Sequence, residues 1–144
     1  MFAHARACVA EAPDGSMLPA IIAAAHAERW LWAAAFAEKQ QDDPQWFGKQ
    51  AKYFSDPEVK RELVAAYEKS LGSPRWKETR SAPKARNDFA WCFIQMGDTL
   101  RAKVELERLG AKITQTPWGF QGGTMVKVAE ARKQVGLPPL PTEA

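Results

Sequence analysis

The stretch Asn87-Asp88-Phe89-Ala90-Trp91-Cys92-Phe93-Ile94-Gln95-Met96-Gly97-Asp98-Thr99-Leu100-Arg101-Ala102 decides the fold class. Gly97 ends one apolar-periodic segment, running from about Arg86 to Met96, as a glycine does just past a helix C-terminus. Asp98 opens the next, to Leu109, with a side chain suited to accept the first free backbone N–H groups. A joint of one or two residues between two amphipathic helices forces the chain back on itself. The predicted unit is an antiparallel helical hairpin.

Upstream, Ser55-Asp56-Pro57-Glu58 is a second start signal. Asp56 or Ser55 caps, Pro57 is preset for the first turn, and Glu58 sits at the positive end of the helix dipole. Val59, Leu63, Ala66, Tyr67 and Ser70 then share one face, and Gly72 and Pro74 close the helix. Between the two signals, Gly72 to Ala85 reads as a loop rich in Ser, Pro and basic residues. It is a solvated connection, with contact to an acidic partner as the alternative.

Toward the N-terminus, Ser16 caps a long Ala-rich helix reaching about Gln40, with Leu18, Ile22, Ala25, Trp32 and Phe36 on its apolar face. Asp43-Pro44 starts a short helix carrying Phe47, Ala51 and Phe54. The first helix begins almost at Phe2, with Phe2, Ala5, Cys8 and Val9 at helical spacing, and ends at Pro13-Asp14-Gly15. No capping residue precedes it, which predicts a fragment of a longer protein or a chain cut inside a repeat array. The last helix spans Thr124 to Val135 with Met125, Val128, Ala129 and Val135 inward. The expected architecture is all-α, with about six or seven helices in stacked antiparallel hairpins. A single domain over residues 1–137 is followed by a frayed Pro-rich tail, 138–144.

Composition narrows the function. An apolar fraction of 46% and a charged fraction of 26% belong to an ordinary globular chain. Twenty basic against seventeen acidic side chains leave a net charge of +3, with no basic stripe of the kind that neutralises phosphates, so no nucleic-acid partner is expected. Glu28 and Arg29 interrupt the longest apolar stretch, Met17 to Phe36. Placing such charges in hydrocarbon costs roughly 2.5–3.5 kcal/mol apiece, so no membrane span is expected. Cys8 and Cys92 lack companions for a zinc site or a disulfide scaffold; free buried thiols fit a reducing, cytoplasmic setting.

The stretch 87–102 resembles the core of a tetratricopeptide repeat: Ala90 as the small residue of the first helix, Phe93 three residues on, the Gly97-Asp98 joint, and Ala102 early in the second helix, with Leu106 at the next large position. Small residues let the two helices approach and large ones fill the groove between them. The pattern departs from the repeat at Arg86, where an aromatic usually stands, at Leu109 in place of alanine, and at Thr114 in place of proline. Ala65-Ala66-Tyr67-Glu68-Lys69-Ser70-Leu71 resembles the end of a repeat's second helix, which makes a second hairpin from Pro57. Phe2-Ala3-His4-Ala5-Arg6, Tyr53 to Val59, Arg86 to Trp91 and Pro117-Trp118-Gly119 are similar to the C-terminal part of an uncharacterised family of bacterial tetratricopeptide-like proteins. That resemblance implies a fold and carries no activity.

Motifs for chemistry are sparse. His4 and Cys8 share a helix face at i, i+4, but two ligands do not make a metal site. They are also the single close base–thiol pair a nucleophilic mechanism would need. His26 reads as a satisfied, partly buried histidine. Gly122-Gly123-Thr124 reads as a turn and a cap, since no phosphate-loop lysine follows. No cofactor and no metal are expected. Trp30 and Trp32 point to different sides of their helix, so some of the six tryptophans either are exposed as interface anchors or pack beneath long loops. The resulting expectation is a non-catalytic module that binds a protein or peptide, with Asn87, Trp91, Gln95 and Arg101 outside the hairpin's packing face as the binding residues. The alternatives are a structural C-terminal cap of a longer repeat protein and, third, an enzyme of unknown type.

Overall fold

A computed structural model of the chain describes residues 2–35 and 52–141. Among these, every regular element is helical: α1 Phe2–Glu11, α2 Ile21–Ala35, α3 Pro57–Lys69, α4 Ala82–Met96, α5 Thr99–Leu109 and α6 Thr124–Gln134, with short 3-10 turns at Leu18–Ala20, Tyr53–Ser55 and Trp118–Gln121. The protein is all-α. No helix among the described residues is long and apolar enough to cross a membrane. The chain divides into two compact units, Met1–Lys77 and Glu78–Ala144.

In the first unit α2 forms the centre. Ala20, Ile22, Ala23, Ala25 and Ala27 are all buried, and their small size lets α1 and α3 approach closely. Ser16 Oγ accepts from Leu18 N–H at 3.1 Å, but Ser16 is not the N-cap of α2: it stands one residue before Met17, the N-cap of a 3-10 turn, and α2 begins only at Ile21. The tighter turn throws Leu18 out of phase with the helix it was expected to join, and it is 57% exposed. The side chains of Trp32 and Phe36, and the predicted short helix from Asp43 through Phe47, lie outside the described residues. Phe54 is buried in the turn Tyr53–Ser55.

Helix α3 forms as its start signal predicts. Asp56 accepts from Glu58 N–H at 2.9 Å, Pro57 opens the helix, and Leu63, Ala66, Tyr67 and Ser70 are buried on one face. Its end is tied to the turn after α1: Gly15 N–H donates to Lys69 O at 2.9 Å, and Lys69 Nζ donates to Val9 O. Gly15 has φ +86°, and a Cβ there would meet the Arg75 backbone carbonyl at 2.6 Å. Glycine is required here by conformation and by space.

In the second unit α4 and α5 form the predicted hairpin. Gly97 takes the left-handed conformation at φ 76°, its N–H bonded to Ile94 O at 3.1 Å, while Asp98 N–H reaches Phe93 O at 2.9 Å. This pair of bonds is a Schellman stop. Asp98 caps α5 through Arg101 N–H at 3.2 Å. Phe89, Ala90, Phe93, Ala102, Leu106 and Leu109 are buried between the two helices and their neighbours. Helix α4 starts at Ala82, four residues before the expected Arg86, because Pro83 falls in the first turn, where no N–H is needed.

Helix α6 corrects the expected phase. Val128 and Val135 are buried as predicted, but Met125 and Ala129 are exposed and Ala131 and Arg132 face inward. Arg132 is drawn in by carbonyls: its Nε donates to Pro138 O at 2.7 Å and its Nη1 to Leu106 O at 3.4 Å. Cys92 is buried, where loss of solvent and the nearby Asp88 carboxylate raise its pKa, and Cys8 is half-buried.

Candidate functional site

The four residues expected outside the packing face part company. Asn87 is fully buried. Its Nδ2 donates to Pro83 O at 2.7 Å and Lys112 O at 3.0 Å, and its Oδ1 accepts from Thr114 N at 3.3 Å and from Trp118 Nε1 at 2.9 Å. Two donors and two acceptors exhaust an amide side chain, leaving nothing for a partner. Its place is structural: it pins the segment after α5 to the first turns of α4. Trp91 is also buried, against the edge of Phe120 at a centroid distance of 6.3 Å. Arg101 is half-buried and its Nη1 donates to Asp98 at 2.7 Å, part of the cap of its own helix.

Trp91 and Gln95 do meet at one place. One turn apart on α4, they line a cleft of ≈ 300 Å³ together with Ile94, Trp118 and a row from α6, of which Lys127, Glu130 and Gln134 are the polar members. The α6 residues recur at i, i+3 and i+7, one stripe of a helix. Lys127 Nζ and Glu130 Oε2 pair at 3.2 Å along its rim. Two glutamine amides, each both donor and acceptor, stand at the cleft, and the two indoles behind them are buried. This chemistry suits the alternating N–H and C=O groups of a peptide backbone. The α6 contribution is not legible in the sequence, because its stripe lies beside the buried face rather than opposite it.

Beneath the hairpin runs a buried ionic chain that sequence reasoning missed. Arg86 Nη1 donates to Glu105 Oε2 at 2.6 Å, and its Nε donates to Glu78 Oε1 at 3.2 Å. Glu105 is wholly buried. Loss of solvent opposes the Arg86 charge, but the two carboxylates more than offset this and hold its pKa above the ordinary value. The arginine that stands where the repeat pattern has an aromatic therefore has its own partner one helix away.

The first unit holds a second polar network. His26, 2% exposed, lies between Tyr53 Oη at 2.6 Å from its Nδ1 and Glu62 Oε1 at 2.8 Å from its Nε2. Glu62 also accepts from Arg6 Nε at 2.8 Å and Nη2 at 3.3 Å. The bonds are satisfied by a neutral imidazole that donates from Nε2 to the carboxylate and accepts at Nδ1 from the phenol. Burial lowers the His26 pKa, Glu62 offsetting it in part. Glu62 is held below the usual carboxylate range: its own partial burial works the other way, but the bonds from Arg6 and His26 prevail. The network joins α1, α2, the turn at Tyr53 and α3. The edge of the Phe2 ring packs on His26 at 4.8 Å, and the guanidinium groups of Arg6 and Arg29 lie 5.0 and 5.3 Å from the Phe2 ring centroid.

His4 Nε2 and Cys8 Sγ are 3.6 Å apart on α1, and neither residue lines the clefts described here. Among the described residues no group of three or more His, Cys, Asp or Glu side chains is placed to hold a metal ion. Gly123 is the N-cap of α6 without a side-chain bond, and Thr124 Oγ1 donates to Gln115 O at 3.1 Å. Of the tryptophans whose side chains are described, Trp91 and Trp118 are buried and Trp30 and Trp76 half-buried. Comparison with protein-family models, with curated proteins and with solved structures gives no match.

Proposed function

We propose that the chain is a non-catalytic protein–protein interaction module of tetratricopeptide-like type, acting in the cytoplasm, and that the cleft between α4 and α6 takes a peptide segment of the partner. One observation carries this reading: Trp91 and Gln95 converge on a single cleft with Lys127, Glu130 and Gln134. The glutamine amides supply the hydrogen bonds, and the buried indoles of Trp91 and Trp118 hold the wall behind them. Selection of displayed peptides against the immobilised chain tests it. The expected result is an enriched peptide class whose affinity falls about tenfold or more in a Gln95→Ala, Gln134→Ala double variant of unchanged helicity. No enrichment, or equal binding to the variant, contradicts it.

The structural cap is the second reading. Apolar exposure along Phe2 to Val9 would favour it; there Phe2, Cys8 and Val9 are half-buried, Ala3 and Ala7 exposed and Ala5 buried. Larger apolar side chains are exposed at Leu18 and Ile21 in the first unit, and at Leu100, Val104, Met125 and Val126 on α5 and α6. A neighbouring repeat seated there would cover them.

A further inference from the structure

We propose that the first unit contains a separate small-molecule site, a cleft for an aliphatic zwitterion of the free α-amino acid class. The cleft is open to solvent on one side and holds ≈ 390 Å³, within the range of small-ligand sites. Its apolar part comes from three helices: Val9 of α1, Ile22 of α2, fully buried at its base, and Ala65 of α3.

The charges around it fall into two groups. Arg6 and Glu62 are bonded to one another, and Glu62 is anchored behind to His26, so this pair forms a fixed, neutralised wall. Glu58 and Arg61 also line the cleft, yet neither takes part in an ion pair among the described residues. Standing at i, i+3 on α3, they are neighbours about 5–6 Å apart at Cβ.

A simple anion drawn to Arg61 meets Glu58, and a simple cation drawn to Glu58 meets Arg61. The ligand that satisfies both carries an ammonium and a carboxylate a bond or two apart, as an α-amino acid does. An aliphatic side chain on the same carbon then covers Val9, Ile22 and Ala65, where apolar burial adds to the charge pairing. An internal peptide segment lacks both charges at that spacing, which separates this site from the cleft of the second unit.

Isothermal titration of the full chain with L-leucine tests the proposal, with N-acetyl-leucine lacking the ammonium and leucinamide lacking the carboxylate. Leucine is expected to bind saturably in the micromolar-to-millimolar range, and each analogue about tenfold or more weakly. Arg61→Gln and Glu58→Gln, both at exposed positions on α3, are each expected to weaken leucine by a similar factor. Arg61→Gln should also remove the advantage of leucine over leucinamide. No saturable heat with leucine overturns the proposal, as do analogues that bind as tightly as leucine on the unaltered chain. Unchanged leucine binding in both variants overturns it equally.

Discussion

The indole N–H of Trp118 donates to the side-chain oxygen of Asn87 at 2.9 Å, both residues being buried. That single bond joins the 3-10 turn before α6 to the start of α4, and two more bonds from the same amide hold Lys112 and Thr114 in line. Trp118 lines the cleft of the second unit, so this amide helps to hold one of its walls.

Asn87→Leu should therefore destabilise the second unit although the replacement is apolar and of similar size. It leaves the buried Trp118 N–H without its partner, at about 1–3 kcal/mol for a buried group left unsatisfied, and removes the amide's bonds to Pro83, Lys112 and Thr114. Denaturant unfolding, followed by circular dichroism, is expected to show a loss of about 2–4 kcal/mol. A loss below about 1 kcal/mol would contradict the structural role.

The Arg86–Glu105 pair makes an asymmetric prediction. Glu105→Leu leaves the buried Arg86 guanidinium with Glu78 as its remaining carboxylate and should cost about 1–3 kcal/mol, whereas Arg86→Phe combined with Glu105→Leu should lie closer to the parent. A double-mutant cycle read by chemical denaturation measures the difference. Additive losses would show that the two side chains do not interact.

Acidification should weaken the first unit in two windows. His26 has its folded pKa below the ordinary 6.5, so the unfolded chain takes up its proton first and stability falls as the pH drops below 6.5 toward the folded value. Glu62 lies below 4.5 when folded, so its contribution is complete above 4.5 and is lost as the pH falls through the folded value. Amide hydrogen exchange in α2 and α3 from pH 7 down to about pH 3, corrected for the intrinsic exchange rate, follows both steps. His26→Gln should remove the upper step and leave the lower one; a pH-independent first unit above 4.5 in the parent chain would contradict the His26 assignment.

Much of this fold was legible because its signals are local. The Gly97-Asp98 joint and the Asp56-Pro57 start act within one turn of backbone, and the structure realises both. What was not legible depends on partners remote in sequence. Glu105 is inward because Arg86 meets it nineteen residues away, and Arg132 is inward because the carbonyls of Leu106 and Pro138 converge on it. A reading that places charges outside must misplace both. The same rule made Asn87 look like a binding residue, since nothing near it in the chain announces Trp118.

The leucines of helix α5 differ in burial. Leu100 is 80% exposed and Leu106 is buried, although both are leucines of one helix. Leu106→Ala should cost about 2–5 kcal/mol, whereas Leu100→Glu should change stability by less than about 0.5 kcal/mol. Thermal unfolding of the two variants measures this. A large loss from Leu100→Glu would show instead that something covers that position.

Hydrogen exchange of the chain with and without a selected peptide is the most direct measurement of the interaction reading. Slowed exchange is expected in the last turn of α4 at Ile94 and Gln95 and along residues 127–134 of α6, with the first unit unchanged. Protection confined to other segments, or none with the peptide at saturation, would contradict it.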